Sequence, residues 1–325
     1  MKRTLFLYIA FISVSFPVIA QQKKAAAAAA KTTLTVIKDA TSFLAMGDWG
    51  RNGEDNQKEV AVQMGIAAKQ LDASFMMILG DNFYPSGVAS TRDYQWIACF
   101  ESIYTAHALQ TDWYVTLGNH DYKGNPQAEI DYTQVSRRWR MPARYYAKRV
   151  SINEDTTQQI LMVFLDTSPF ISQYYSSDDH KDNVKTQDTA AQRKWLEEVL
   201  SDPSPNIKWK IVAGHHPLYT GGKRINAADT KEMNKLLKPI FDKYKVDAYI
   251  CGHEHSLQYI KPEGSTHYFV SGAGSELTPA IKHPDGGQFA VSSNGFMAFS
   301  VTPSSMLMQV VNEKGKILYK TTINK

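Results

Sequence analysis

The sequence predicts an α/β fold: two packed sheets with helices outside, the second sheet closed by a C-terminal antiparallel meander. Three observations point there. Apolar runs of about five residues, each stopped by glycine, recur along the chain and read as buried strands. Amphipathic helical stripes lie between several of them. Beyond Gly295, alternating strands follow one another with no helical segment between.

The strands come first. Residues 42–46 lead into Gly47-Asp48, 75–79 into Gly80-Asp81 and 113–117 into Gly118-Asn119. Residues 209–213 lead into Gly214-His215, and 247–251 into Gly252-His253. Each glycine lets the backbone turn sharply, so the next side chain faces a cleft at the strand's C-terminal end, where α/β sheets build sites. Residues 56–71 place Val60, Met64, Ala67 and Leu71 on one helical stripe. Residues 188–200 carry Trp195, Leu196, Val199 and Leu200, with Asp188 as N-cap. Residues 229–244 align Met233, Leu236, Leu237, Ile240, Phe241 and Tyr244, and Pro239 is expected to kink or split that helix. Residues 295–301, 305–311 and 317–323 form the meander, with a turn at Gly315.

The N-terminus reads as a processed leader. Lys2-Arg3, an apolar stretch to Ala20 and the small-residue site Val18-Ile19-Ala20 make residues 1–20 a signal peptide. Residues 21–34, with alanines from Ala25 to Ala30, form a low-complexity tether, and residues 35–325 form one domain. Export to a periplasm or the exterior follows, with no stable membrane anchor after cleavage. The formal charge of +4 falls to about +2 without Lys2 and Arg3, which is no nucleic-acid footprint. Cys99 and Cys251 are too few for a disulfide framework and read as core thiols.

Five blocks carry the chemistry: Gly47-Asp-Trp-Gly50, Gly80-Asp-Asn-Phe-Tyr84, Gly118-Asn-His-Asp121, Gly214-His-His-Pro217 and Gly252-His-Glu-His255. Together they offer carboxylate, amide and imidazole ligands for two adjacent metal ions. Asp81 can bridge them with its two oxygens, while Asp48 serves one ion and Asn119 the other. His253 and His255, two apart, can reach neighbouring ions. Tyr84 is the sharpest residue. A phenol with a pKa near 10 becomes a ligand only when a highly charged cation displaces its proton, which favours Fe(III). Five of the nine histidines (His120, His215, His216, His253, His255) fall inside the blocks. His107, His180, His267 and His283 read as surface or packing residues. The set points to a two-metal phosphoester hydrolase.

On these blocks, and on Trp113-Tyr-Val115, Ser136-Arg-Arg-Trp139, Leu165-Asp-Thr167, Cys251 to Tyr259 and Ser271-Gly-Ala-Gly274, the chain resembles the purple acid phosphatases of the small tartrate-resistant type, within the calcineurin-like metallophosphoesterases. The resemblance implies a four-layer α/β/β/α sandwich and hydrolysis of phosphate monoesters by hydroxide generated at a binuclear centre. It implies Asp48, Tyr84 and His255 on Fe(III), and Asn119, His215 and His253 on a divalent iron, zinc or manganese ion, with Asp81 between. Asn82 and His120 would lie beside the phosphate, His120 stabilising charge or protonating the leaving group. The family's further histidine, nine residues after the first of the fourth block, is Arg224 here. His216 is the nearer imidazole for an acid or substrate contact; alternatively Lys223 or Arg224 binds phosphate. Segment 168–186 occupies the region of the family's inhibitory loop. Small phosphorylated molecules or phosphoproteins are the expected substrates. A phosphodiesterase using manganese or zinc is the rival enzyme, and a non-catalytic secreted binding protein the rival from another class.

Overall fold

The computed structural model describes residues 33–278 and 284–325. The leader, most of the tether and His283 lie outside them. Sheet one contains β1 (Thr41–Met46), β2 (Phe75–Leu79), β3 (Asp112–Thr116) and β4 (Trp139–Arg140), with β12 (Gly295–Val301), β13 (Ser305–Asn312) and β14 (Ile317–Asn324). Its order is β14-β13-β12-β1-β2-β3-β4. The first four strands run parallel, and β12 pairs antiparallel with β1. Sheet two contains β5 (Tyr146–Ile152), β6 (Asp155–Phe164), β7 (Ile207–Ala213), β8 (Ala248–Cys251), β9 (Leu257–Ile260), β10 (His267–Ser271) and β11 (Gly287–Val291). Its order is β11-β9-β10-β8-β7-β6-β5.

Strands β1 and β2 are buried along their whole length, as parallel strands covered on both faces must be. The sheets pack face to face through aromatic side chains. Phe43 stacks between Phe75 and Phe299, and Phe269 meets Phe299 edge-on at 5.3 Å. Ser271 Oγ donates to the Ala45 carbonyl (2.8 Å), tying β10 to β1. Helices α1 (Gln57–Leu71), α2 (Pro126–Asp131), α3 (Lys181–Val184), α4 (Thr189–Leu200) and α5 (Ala228–Tyr244) complete the layers. Asp188 caps α4 by accepting from the Ala191 N–H (2.9 Å).

Two expectations are corrected. The meander extends sheet one, not sheet two, because β12 finds its partner in β1. Pro239 does not split α5. Its missing N–H costs one hydrogen bond, but Met233, Leu237, Ile240 and Phe241 bury the stripe on both sides of it. Strands β4 to β6 and β9 to β11 have no counterpart in the sequence reading. Both cysteines are free and buried, and burial lifts the Cys99 thiol to about 11 and Cys251 still further from its usual range. Such thiols are inert. Among the described residues, no helix is long and apolar enough to cross a membrane.

Candidate metal centre

The blocks converge at the C-terminal ends of the parallel strands. Sheet one delivers Asp48 after β1, Asp81 and Tyr84 after β2, and Asn119 after β3. Sheet two delivers His215 after β7 and His253 and His255 after β8. Three of these residues sit in left-handed backbone: Asp48 (φ 60°), Asp81 (φ 49°) and His253 (φ 70°). Left-handed backbone costs a non-glycine residue roughly 1–2 kcal/mol. Strain of that kind gathers where a chain turns a side chain to a task.

The donors meet without hydrogens to separate them. His215 Nδ1 donates to the Leu79 carbonyl (2.8 Å), which can only accept, so in the neutral ring its Nε2 carries a lone pair. That lone pair lies 3.1 Å from Asn119 Oδ1, 3.4 Å from Asp81 Oδ1 and 3.0 Å from His253 Nδ1. His253 Nε2 donates to Asp229 Oδ2 (3.1 Å), so its Nδ1 also presents a lone pair. Four electron-rich atoms therefore crowd one point. On the other side, Tyr84 Oη lies 2.9 Å from Asp81 Oδ2 and 3.2 Å from both Asp48 Oδ1 and His255 Nε2. There the phenol hydrogen points to the Asp81 carboxylate. Each oxygen of Asp81 faces a different cluster.

Electrostatics follow from this crowding. Burial would push the Asp81 carboxyl up, but His215, His120 and His253 outweigh it and hold it well below its usual range. Burial would push His215 down, yet Asp81 and Asp48 hold it above normal. Burial, then Arg224 and His215, drive His253 well below. Burial, then the carboxylates of Asp48 and Asp81, push the Tyr84 phenol far up. Buried carboxylates this close are costly unless a positive charge joins them. The donor set therefore fits a pair of cations.

Residues 41–257 match the calcineurin-like phosphoesterase family. The chain is 34% identical over 293 residues to purple acid phosphatase 7 of Arabidopsis thaliana, covering 87% of this chain and 86% of that one. It is also 34% identical over 307 residues to tartrate-resistant acid phosphatase type 5 of Oryctolagus cuniculus, covering 87% and 90%. This chain belongs to the purple acid phosphatases. Two solved structures share the fold: GAP50, the anchor in the inner membrane complex of Plasmodium (TM-score 0.75, 22% identity, 88% and 89% covered), and a purple acid phosphatase from Lupinus luteus seeds (TM-score 0.61, 15%, 88% and 54%). Family membership carries a binuclear metal centre with it.

In this purple acid phosphatase, three residues expected at the substrate lie elsewhere. Asn82 is fully buried. Its amide donates to Thr116 O, Asp121 Oδ2 and Glu129 Oε2 and accepts from Trp49 Nε1, which leaves nothing for a phosphate. His216 is buried behind His253, ring centroids 4.3 Å apart. Thr167 Oγ1 accepts from the His215 and His216 backbone amides, so its own hydrogen goes to His216 Nδ1 (2.8 Å). His216 Nε2 then meets Tyr174 Oη (3.0 Å). Both nitrogens are committed, although His216 lies within ligand distance of His215 and His253. Arg224 binds the His253 carbonyl (3.0 Å) and approaches Asp229 and Glu254 instead of the cleft.

His120 sits at the mouth. Its N–H donates to Asp81 Oδ1 (2.7 Å) and its Nδ1 to the Pro85 carbonyl (2.6 Å). Segment 168–186 packs against the site through Tyr174, whose ring stacks on His180 at 4.5 Å. Sequence reasoning missed Asp229, Thr167 and Tyr174 as partners of the histidines. Thr167 stood in a matching motif with no role attached. Asp229 stood only as the first residue of an expected helix, and no spacing links it to His253.

Proposed function

We infer that this chain is a metal-dependent acid phosphatase that hydrolyses phosphate monoesters. The observation that carries it is the meeting of carboxylate, amide, phenol and imidazole groups from two sheets about a shared carboxylate, in a chain of this family. Asp48, Tyr84 and His255 would hold Fe(III). Asn119, His215 and His253 would hold an iron, zinc or manganese ion, and Asp81 would join the two. When bound, such a pair neutralises phosphoryl charge and makes water a nucleophile near neutral pH.

The chain's own groups supply orientation and a proton. The His120 amide fixes one Asp81 oxygen, and the Pro85 carbonyl fixes the His120 ring. With Nδ1–H held there, Nε2 faces a departing alkoxide, and the imidazolium form supplies its Nε2 proton, leaving the neutral ring. Among the described residues, Nε2 meets no hydrogen-bond partner. Lys223, exposed beside the site, can draw anionic substrates in. Small phosphorylated molecules or phosphoproteins remain the substrate class, and export by the leader the route. Recovery of protein beginning at Gln21 outside the cytoplasm supports the latter, and retention of Met1 in a cytosolic product contradicts it.

The purified protein should contain two metals per chain and show a visible phenolate-to-iron band. It should turn over p-nitrophenyl phosphate faster than bis-p-nitrophenyl phosphate. Tyr84→Phe should abolish the band while leaving the fold intact. An iron-loaded protein without colour refutes the ferric assignment, and preference for the diester refutes the monoesterase reading.

A further inference from the structure

We propose that Asp229 is the positioning residue of the second metal site: it makes His253 present Nδ1, not Nε2, to the ion. This rests on the binuclear reading above. The three imidazoles of the centre have different outer partners. His215 is held by a neutral carbonyl, Leu79 O at 2.8 Å. Among the described residues, His255 Nδ1 has only Glu276, at 3.8 Å, beyond a hydrogen bond. His253 Nε2 is held by a carboxylate, Asp229 Oδ2 at 3.1 Å.

Asp229 is itself fixed. It stands in the first turn of α5, 5% exposed, and its Oδ1 accepts from the Thr230 N–H (2.7 Å). Arg224, five residues earlier, closes the arrangement. Its Nη1 donates to the His253 carbonyl (3.0 Å), its Nε lies 3.7 Å from Asp229 Oδ2, and its backbone N–H donates to Glu254 Oε1 (2.7 Å). Residues 224 and 229 thus hold His253 at both backbone and ring. A carboxylate polarises the imidazole more than a carbonyl does, so Asp229 binds the His253 ring more firmly than Leu79 binds that of His215. The His253 tautomer is fixed at the same time. Partners of this kind are typically worth ~10–100-fold in metal affinity. The cation at position 224 therefore serves the metal site from behind and is not spent on substrate.

The test compares parent, Asp229→Ala, Asp229→Asn and Asp229→Glu in the metal-loaded full chain. Each is dialysed against graded chelator, and iron and the second metal are counted per chain alongside the visible band. Asp229→Ala should lose the second metal at ~10–100-fold lower chelator strength than the parent, with iron and colour retained. Asp229→Asn, which can still accept from Nε2 without charge, should fall between. Asp229→Glu should restore most of the affinity. Turnover should drop mainly in kcat and recover when the second metal is added in excess. Unchanged retention in Asp229→Ala overturns the proposal, as does loss of both metals in parallel. If Asp229→Ala does not fold, the Asn and Glu variants carry the comparison alone. A parent that binds fewer than two metals sinks the binuclear reading instead, so the two failures are told apart.

Discussion

A hydrogen atom decides the identity of each group in this centre. Because the Leu79 carbonyl accepts from His215 Nδ1–H, the facing Nε2 of the neutral ring can only offer electrons. His120 differs in the proposed reaction: with the Pro85 carbonyl holding Nδ1–H, only its imidazolium form would carry the Nε2–H that a leaving group needs. His120→Ala should cut turnover by on the order of 10²–10⁴ for alkyl phosphates but far less for p-nitrophenyl phosphate, whose leaving group needs little proton help. Equal losses in kcat for both esters would refute the acid role. Beneath the site, Glu129 and Asp121 share Asn82 as donor. Asp121 accepts from the N–H groups of Asn82, Phe83 and Gly118 as well, so it is the better host for the negative charge. Burial pushes Glu129 up to about 8, against the Asn82 donor. Its proton is held more tightly in the folded than the unfolded chain, so its ionisation removes stability as pH rises from about 4.5 to about 8. Glu129→Gln, a neutral mimic of the protonated acid, should match the parent near pH 4.5 and melt higher than it above pH 8, in metal-saturated thermal scans. Parallel melting profiles would contradict this.

The strand-to-loop junction is the element that repeats. A buried strand ends, a glycine follows, and the next residue turns into the centre in strained backbone after β1, β2 and β8. Two of these junctions touch. Gly80 has φ +84°, and a Cβ on Gly118 would lie 2.2 Å from Asp81 N and Oδ1. There is no room for one unless Asp81 moves. Misplacement near 1 Å can cost ~10²-fold in rate. Gly118→Ala should therefore lose activity by about that factor and release both metals more readily, as metal analysis after dialysis would show. Two tightly held metals and parental turnover would mean that the junction yields elsewhere. At the same scale, α4 and α5 were legible as helices because their stripes were long and regular. Strand β4 was not, because two residues carry no period. Strands β9 and β11 escaped because their pairing is decided by neighbours distant in sequence.

Across the whole molecule, the centre is a seam. Asp48, Asp81, Tyr84 and Asn119 belong to one sheet, and His215, His253 and His255 to the other. Bound ions would join the sheets at one edge of a core already closed by Phe43, Phe269 and Phe299. Ligands that bind only the folded state add about 2.7 kcal/mol at a hundredfold excess over Kd. Chelation should thus lower the melting temperature by on the order of 5–10 °C while the secondary structure at 25 °C persists. A melting point indifferent to chelator would show that the aromatic core alone sets stability.

The sequence by itself determined the order of strands before each block, the three main helices and the donor types, because periodicity and glycine stops are local properties of the chain. It also carried the resemblance that named the family. Only the tertiary structure decided what each donor faces. Asn82 and His216 lie in matching blocks, yet they turn into the core, since hydrogen bonds to Glu129, Thr167 and Tyr174 are formed by residues far away in sequence. Asp229 gained its place for the same reason. A one-dimensional pattern fixes which groups are available, and the packing of two sheets fixes which lone pairs are left to meet.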